Sequence, residues 1–352
     1  MNRQHIINQK GEIEFRKNLY LQQVEGKTIF HDEFDTHGIE TILQKRMNNT
    51  LQQMTELKEK RITLSPYIEI GAERRQRSLV MENDLSVNGA AVDISFDMLK
   101  SCEYYKKVFN KSKSPLRICC DANNLPFMSH SIPFIFCYET LHHFPQPTPV
   151  TQEIFRVLSP GGRFFFDEEP FKQVFHFSLY KGKKIYSNHS LERSKIKKIL
   201  DYFFSVKTCN EVEYGIIEND DISLRTWKQA LQIFQEKEIY LRKRKFQVNL
   251  YNPDSYFAYF AAYLLGGIVS GVCTKTGSIG NGNLSIYNAL ICPSCGESGD
   301  EQPVEINNDS FQCIRCSKTY PIINDVVFLF SYKKLEELYP DIFNTILNNT
   351  SK

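Results

Sequence analysis

Residues 67–75 read YIEIGAERR. Pro66 stops any helix before this stretch, Tyr67-Ile68-Glu69-Ile70 is a short apolar run of the kind a buried strand needs, and Gly71 ends it. The pattern recurs at Gly89-Ala90-Ala91-Val92-Asp93, at Leu116-Arg117-Ile118-Cys119-Cys120-Asp121, at residues 132–138 (IPFIFCY) and at residues 163–167 (RFFFD). Between these runs lie helical patterns: Ser95 can cap a helix through Met98, Leu99 and Cys102, and another helix ends at Leu158, before Ser159-Pro160-Gly161-Gly162. Apolar strands alternating with helices predict an α/β fold, a doubly wound and mostly parallel sheet covered on both faces. Acids close three of the runs: Glu69, Asp93 and Asp121. One such acid is most simply a cap for the next turn. Three at successive strand ends converge on the crevice where doubly wound sheets hold ligands.

Length and composition bound the rest. The 352 residues predict about two domains, and 41% hydrophobic residues suffice for a sizeable core. Lys plus Arg is 43 and Asp plus Glu is 41, a balance that argues against a surface wholly given to nucleic acid. The N-terminus has no apolar leader, so a reducing, cytoplasmic location is expected for the ten cysteines. Residues 40–60 read as an amphipathic helix through Ile42, Leu43, Met47, Leu51, Met54 and Leu57. Residues 255–274 (SYFAYFAAYLLGGIVSGVCT) carry no charge and are long enough to span a bilayer; the favoured alternative is a buried helix or helix pair broken at Gly266-Gly267.

The stretch from Tyr67 to Pro170 resembles a class I S-adenosylmethionine (SAM)-dependent methyltransferase of the methyltransferase-11 or UbiE-like type. The matching pieces are Glu69-Ile70-Gly71-Ala72, Val92-Asp93-Ile94-Ser95, Asp121-Ala122-Asn123-Asn124-Leu125-Pro126-Phe127, Leu141-His142-His143-Phe144 and Arg156-Val157-Leu158-Ser159-Pro160-Gly161-Gly162. The resemblance implies a Rossmann-like sheet of seven strands with SAM at the ends of the early ones. It implies that Gly71 and Ala72 pass under the cofactor, that Asp93 with Ile94 meets the ribose, that Asp121 and Ala122 edge the adenine, and that Glu139 lies near the methyl donor. The family's first loop reads acid-x-Gly-x-Gly-x-Gly; here it reads Glu69-Ile70-Gly71-Ala72-Glu73-Arg74-Arg75, which places bulk where the methionine moiety would lie. Either the loop is remodelled, with Glu73 meeting the cofactor's amino group, or SAM binding is lost and a methyltransferase-like binding scaffold remains.

No catalytic residue is assigned. His142, His143 and Glu139 are candidate bases, with a packed turn the simpler role for the two histidines. Residues 191–204 and 225–242 read as helices, the second ending in Arg242-Lys243-Arg244-Lys245; residues 205–209 and 212–218 read as the last two strands. The basic clusters read as solvated faces, so the unidentified acceptor is expected to be a small molecule, glycan or lipid rather than RNA; a membrane-associated lipid or glycan methyltransferase is the weaker alternative, and no partner protein is identifiable.

Cys292-Pro293-Ser294-Cys295 and Cys313-Ile314-Arg315-Cys316 have the spacing of a four-cysteine zinc ribbon. Four thiolates leave no open position, so a structural Zn2+ (or iron in its place) is expected, with redox-active pairs the other reading. With Tyr320 to Leu329 the segment resembles the small zinc-ribbon proteins that activate methyltransferases, which dock by strand addition or apolar contact. The expected organisation is a helical extension (1–60), a methyltransferase-like core (61–220), a helical insertion or cap (221–288), the ribbon (289–332) and a tail (333–352) whose end frays. The other six cysteines, Cys102, Cys119, Cys120, Cys137, Cys209 and Cys273, read as small core residues.

Overall fold

The computed structural model describes residues 3–24, 39–172, 222–243, 246–278, 285–307 and 309–350. The five apolar runs are strands β1 (Tyr67–Ile70), β2 (Gly89–Asp93), β3 (Leu116–Cys119), β4 (Ile132–Tyr138) and β5 (Leu158–Phe171). They pair in parallel in the order β3-β2-β1-β4-β5. Strand order therefore reverses at β1, which sets the ligand crevice at the carboxyl ends of β1 and β4.

Both faces of this sheet are buried, as the runs require. On β4, Ile132, Ile135 and Cys137 face one core while Phe134, Phe136 and Tyr138 face the other. The second core is closed by Met54 and Leu57 of α2 (Ile39–Glu59). Each fully buried large apolar side chain contributes roughly 1.5–3 kcal/mol. The α2 stripe buries Leu43, Met47, Thr50, Met54 and Leu57 but leaves Leu51 exposed. The connections within the parallel half are α3 (Gln76–Asn83), α4 (Phe96–Lys100), α5 (Cys102–Val108) and α6 (Thr148–Val157); Ser95 caps α4 by accepting from the Met98 N–H.

The sheet is larger than the seven strands expected: twelve strands join it among the described residues. Beyond β5 lie β8 (Gly267–Thr274), β6 (Glu236–Lys243) and β7 (Phe246–Asn249), all antiparallel to their neighbours. Residues 225–242 are thus not one helix but α7 (Leu224–Ala230) followed by β6. Ile239 and Leu241 are buried while Glu238 is exposed, a two-residue period that also satisfies a helical reading over so short a run. Residues 255–274 break at Gly266-Gly267 into α8 (Tyr256–Leu265) and β8. Gly267 has φ +156° and a Cβ there would lie 2.4 Å from the Arg242 carbonyl oxygen, while β-branched Ile268, Val269, Val272 and Thr274 favour strand after the break. Among the described residues no helix is long and apolar enough to cross a membrane. The described residues of segment 221–288 are therefore a mixture of helix and strand rather than a helical cap. The expected helix at 191–204, the strands at 205–209 and 212–218, and Cys209 lie outside the described residues. The five other non-ribbon cysteines are buried.

On the opposite edge the cysteine-bearing segment adds β9 (Val304–Asn307), β10 (Ser310–Cys313), β11 (Thr319–Ile323) and β12 (Val326–Phe328), after the short α9 (Pro293–Gly296). β12 pairs in parallel with β3, Val327 opposite Ile118, so the ribbon joins the core by strand addition. The tail does not fray up to residue 350: α10 (Tyr332–Leu338) and α11 (Pro340–Thr350) pack Leu335, Leu338 and Ile346 into a core with Leu99 and Cys119. That core also takes Ile13 from α1 (Arg3–Val24), which lies within the helical extension expected over residues 1–60.

Arg156 on α6 ties ribbon to core. Its guanidinium donates to the carbonyls of Leu125 (2.8 Å) and Phe127 (2.7 Å) and to the carboxylates of Glu153 (2.8 Å) and Glu301 (2.7 Å). Arg156→Ala is expected to cost about 1.5–3 kcal/mol, because its bonds to the Glu153 and Glu301 carboxylates are lost and Glu301 keeps only the Ser129 N–H and hydroxyl as donors. Thermal denaturation should show a lower midpoint, with hydrogen exchange accelerated first in β9–β11; unchanged exchange there would show that the ribbon is held by other contacts.

Candidate active site and cysteine cluster

A cavity of about 520 Å3 opens at the carboxyl ends of β1 to β5. All nine residues expected there, Glu69, Gly71, Ala72, Glu73, Asp93, Ile94, Asp121, Ala122 and Glu139, line it. The size and the mixed polar lining are those of a nucleotide-sized ligand pocket.

The first loop keeps the conformation of a glycine loop without its glycines. Gly71, Glu73 and Arg75 have φ of +66°, +42° and +55°, at the three positions where the resembled family has Gly. Gly71 is sterically obligatory, since a Cβ would lie 2.3 Å from Thr140 Oγ1. The two non-glycines cost about 1 kcal/mol or more each. Side-chain bonds offset this: Arg75 is fully buried and donates to the Met98 carbonyl and to Ser101 Oγ, and the Glu73 N–H donates to Asp93 Oδ2 at 2.9 Å. Arg75 points into the core and does not line the cavity, so it does not obstruct a methionine moiety as its bulk had implied. Glu73 does face the cavity, where Arg16 (3.4 Å), Arg46 (3.4 Å) and Arg74 hold its carboxylate.

The three strand-end acids differ in what they hold. Glu69 accepts from the Ser78 N–H (3.0 Å) and hydroxyl, anchoring the first turn of α3. Asp93 accepts from Glu73 and from the Ser95 N–H (2.8 Å), fixing two loops at once; burial pushes its carboxyl up. Asp121 accepts from the Asn123 N–H and side chain (2.9 Å each), from Gln9 Nε2 (2.8 Å) and from Lys334 Nζ (3.1 Å). Burial would raise Asp121, but His5, Lys334, Asn123 and Gln9 outweigh it and hold the carboxyl well below the ordinary range.

At the other end of the cavity, Glu139 pairs with Arg46 at 2.7 Å, and Arg77 pairs with Glu168 at 2.8 Å while stacking on the Tyr138 ring. His142 and His143 both line the cavity with their rings 4.3 Å apart. The role of packed turn fits only in part. His142 Nδ1 lies 3.0 Å from Oε2 of fully buried Glu169, which also accepts from the N–H groups of Thr140, Leu141 and His142. Burial raises the Glu169 carboxyl, yet His142 and the backbone donors hold it below the ordinary range. A carboxylate in this position fixes the proton on Nδ1 and leaves Nε2 as the basic nitrogen of the neutral ring.

Residue patterning missed the α1 residues His5, Asn8, Gln9, Glu12 and Arg16, which cover the cavity. That helix rests on a polar crevice, so its inner face carries no apolar period to read. Glu169 lies in the run Asp167-Glu168-Glu169-Pro170, which reads from its residues equally as a wall of the acceptor pocket or as a solvated acidic turn, and Lys334 reaches the site from far along the chain.

The four cysteines converge as their spacing predicted, all sulfurs within 4.8 Å of one another. Cys292 lies 3.6 Å from Cys316 and Cys295 3.8 Å from Cys313, against edges of about 3.8 Å for a tetrahedron with arms of about 2.3 Å. The N–H of Cys295 points at Cys292 Sγ and that of Cys316 at Cys313 Sγ, 3.4 Å each, so each pair sits on a tight turn with its sulfurs gathered at one point.

Residues 69–166 match the family model described as a methyltransferase domain. Sterol 24-C-methyltransferase of Schizosaccharomyces pombe is 26% identical over 125 residues, which is 36% of this chain and 33% of that protein. A chloroplastic methyltransferase of Arabidopsis thaliana is 36% identical over 77 residues, 21% of this chain and 22% of its own. Matched stretches thus span only about a fifth to a third of these relatives. Haemonchus contortus phosphoethanolamine N-methyltransferase 2, solved with S-adenosyl-L-methionine, is 14% identical with a TM-score of 0.41, covering 65% of this chain and 53% of that one. The parallel half of the sheet, β1 to β5, is thus the part of the chain that is similar to methyltransferase domains.

Burial pushes Glu69 up to about 7 from 4.5. Between those values the folded chain holds a proton that the unfolded chain has lost, so this group's stabilisation is complete below about pH 4.5 and is lost as pH rises through about 7. Glu69→Gln keeps an acceptor for Ser78 and removes the buried charge. It should raise the melting temperature at pH 8 and leave it nearly unchanged at pH 5; an equal effect at both would show that Glu69 is not the titrating group.

Proposed function

We propose that the protein transfers a methyl group from SAM to an acceptor bound beside Glu139, His142 and His143, and that its four cysteines hold a structural zinc ion. The observation that carries the first part is convergence: residues from five strand ends, four of them within the stretch that matches a methyltransferase domain, line one cavity. When bound, SAM supplies an activated sulfonium methyl, so the protein has mainly to align and desolvate. Asp93 retains acceptor capacity for a ribose diol, and Glu73 offers a carboxylate to an ammonium group. For an acceptor that arrives protonated, His142 takes the proton on Nε2 while Glu169 fixes Nδ1. The cavity wall carries seven carboxylates (Glu12, Glu69, Glu73, Asp93, Asp121, Glu139 and Glu168) against Arg16, Arg46 and Arg77, an excess of acid that disfavours a polyphosphate such as RNA and supports a small molecule, glycan or lipid.

A second reading, a binding scaffold without turnover, draws on Asp121. Asn123, Gln9 and Lys334 already use its acceptor positions, so an adenine amine must displace Gln9 to bond there. Calorimetry separates the two. Wild-type protein is expected to bind SAM with micromolar affinity, and Asp93→Ala to weaken it at least about tenfold through a lost charge-assisted bond; no heat at millimolar SAM would leave the scaffold reading. Labelled methyl transfer from SAM into a whole-cell extract tests turnover without a known acceptor. His142→Ala should reduce incorporation on the order of a hundredfold if a base is used, and equal incorporation would remove His142 from the chemistry.

The cysteine geometry supports zinc independently. Elemental analysis is expected to find one zinc per chain, lost in Cys295→Ser/Cys316→Ser. Because β12 is a strand of the main sheet, chelation should also lower the melting temperature of the whole chain. A chain with free thiols and no metal would refute the site.

A further inference from the structure

The uncharged stretch at 255–274 is buried only in its strand half. On α8, Tyr256, Phe257, Phe260 and Tyr263 are 81%, 83%, 58% and 46% exposed. Their spacing of one, four and seven residues from the first makes one stripe along the helix. The other side, with Ala258, Tyr259 and Ala262, packs on the core. Ser255 caps the helix by accepting from the Ala258 N–H, so the stripe is held on a formed helix. Beside it, between α7 and α8, runs a cleft of about 360 Å3 lined by Arg225, Lys228, Gln229, Gln232, Tyr259 and Tyr263: two cations and no carboxylate. The Lys228 ammonium lies over the rings of Tyr251 (5.7 Å) and Tyr259 (5.8 Å), held at the cleft by its aromatic walls. The C-terminal end of α8 lies at the same end of the sheet as the main cavity. β8, which follows α8, begins with Gly267 opposite Phe171, next in sequence to the cavity-lining Pro170.

We propose that α8 and the α7–α8 cleft dock on an anionic lipid bilayer, the aromatic stripe entering the headgroup–acyl boundary and the cleft taking a lipid phosphate. Apolar phenylalanine rings flanked by tyrosines with a polar tip, next to cations, are the composition that such interfaces select. A second copy of the chain fits less well. Four partly exposed rings offer on the order of 500 Å2, below the roughly 800 Å2 per partner of a standard interface, and symmetric pairing would bring two cationic clefts together. Docking would place the cavity mouth near the membrane surface, where an amphipathic acceptor resides.

The test is co-sedimentation of the full chain with phosphatidylcholine vesicles, with and without about a third phosphatidylglycerol. Binding to the anionic vesicles is expected to exceed binding to the neutral ones by about tenfold or more and to weaken with salt. Phe257→Ser/Phe260→Ser and Arg225→Glu/Lys228→Glu should each lower it by a similar factor. These side chains are on the surface, so melting curves should match the wild type; if a double variant melts early, Phe257→Ser alone decides. No pelleting with anionic vesicles would overturn the proposal, as would undiminished pelleting of the folded variants. So would sedimentation velocity that finds a lipid-free dimer which Phe257→Ser makes monomeric, because the stripe would then be a self-association surface.

Discussion

The Asp121 carboxylate is 5% exposed, and a carboxylate offers roughly four acceptor positions. Asn123 occupies one oxygen; Gln9 and Lys334 share the other. A buried carboxylate without partners would cost several kcal/mol, so the ends of α1 and α10 are requirements of the β3 terminus and not decorations of it. Tyr339 acts at the adjoining strand: its hydroxyl donates to the Ile94 carbonyl at 2.6 Å and accepts from the Phe96 N–H at 3.1 Å. The chain's two ends thus meet at the turns that follow β2 and β3, and the crevice is walled by residues far apart in sequence.

The first loop obeys the same logic of compensation. Its left-handed residues are imposed by the turn from β1 into α3, and Gly71 cannot carry a side chain because Thr140 fills the space. At 73 and 75 the same dihedrals are borne by residues that dislike them, and each is tied down by contacts a glycine could not make. Glycine would lower the backbone strain and raise the entropy lost on folding. Here strain is exchanged for an arginine in the core and a carboxylate in the cavity. The backbone path is kept while the chemistry of the loop surface changes.

That distinction explains which parts of the molecule were legible from residues alone. Strands β1 to β5 could be read because burial on both faces demands continuous apolar runs, and the cysteine cluster because knuckle geometry fixes spacing. The acids at 69, 93 and 121 were found, but their tasks were not: Glu69 serves α3, and Asp121 is engaged by partners 112 residues before it and at Lys334. Such pairings leave no local period. Residues 225–242 failed for another reason, since eight residues of alternating pattern beside a short helix satisfy both periods, and only pairing with β8 decides between them. The role of Arg75 was misjudged because side-chain bulk says nothing about direction.

The ribbon gains its meaning from where it is attached. By itself it is four short strands, too small for a robust core, and the parallel sheet without it would end at an uncovered β3. Pairing β12 with β3 answers both needs at once. It also shortens the path between the cysteines and the crevice. The Tyr320 hydroxyl lies 3.0 Å from Cys292 Sγ, the Tyr332 N–H donates to Ser294 Oγ in the first knuckle, and Ser331 bonds Glu297 just beyond it. Ser331 caps α10, and that helix carries Lys334 to Asp121. The knuckle therefore sets the start of the helix whose cation compensates the buried acid. Order in the cysteine cluster and order at the end of β3 are stabilised by the same few residues, so a ribbon far from any bond-making step still determines the shape of the site.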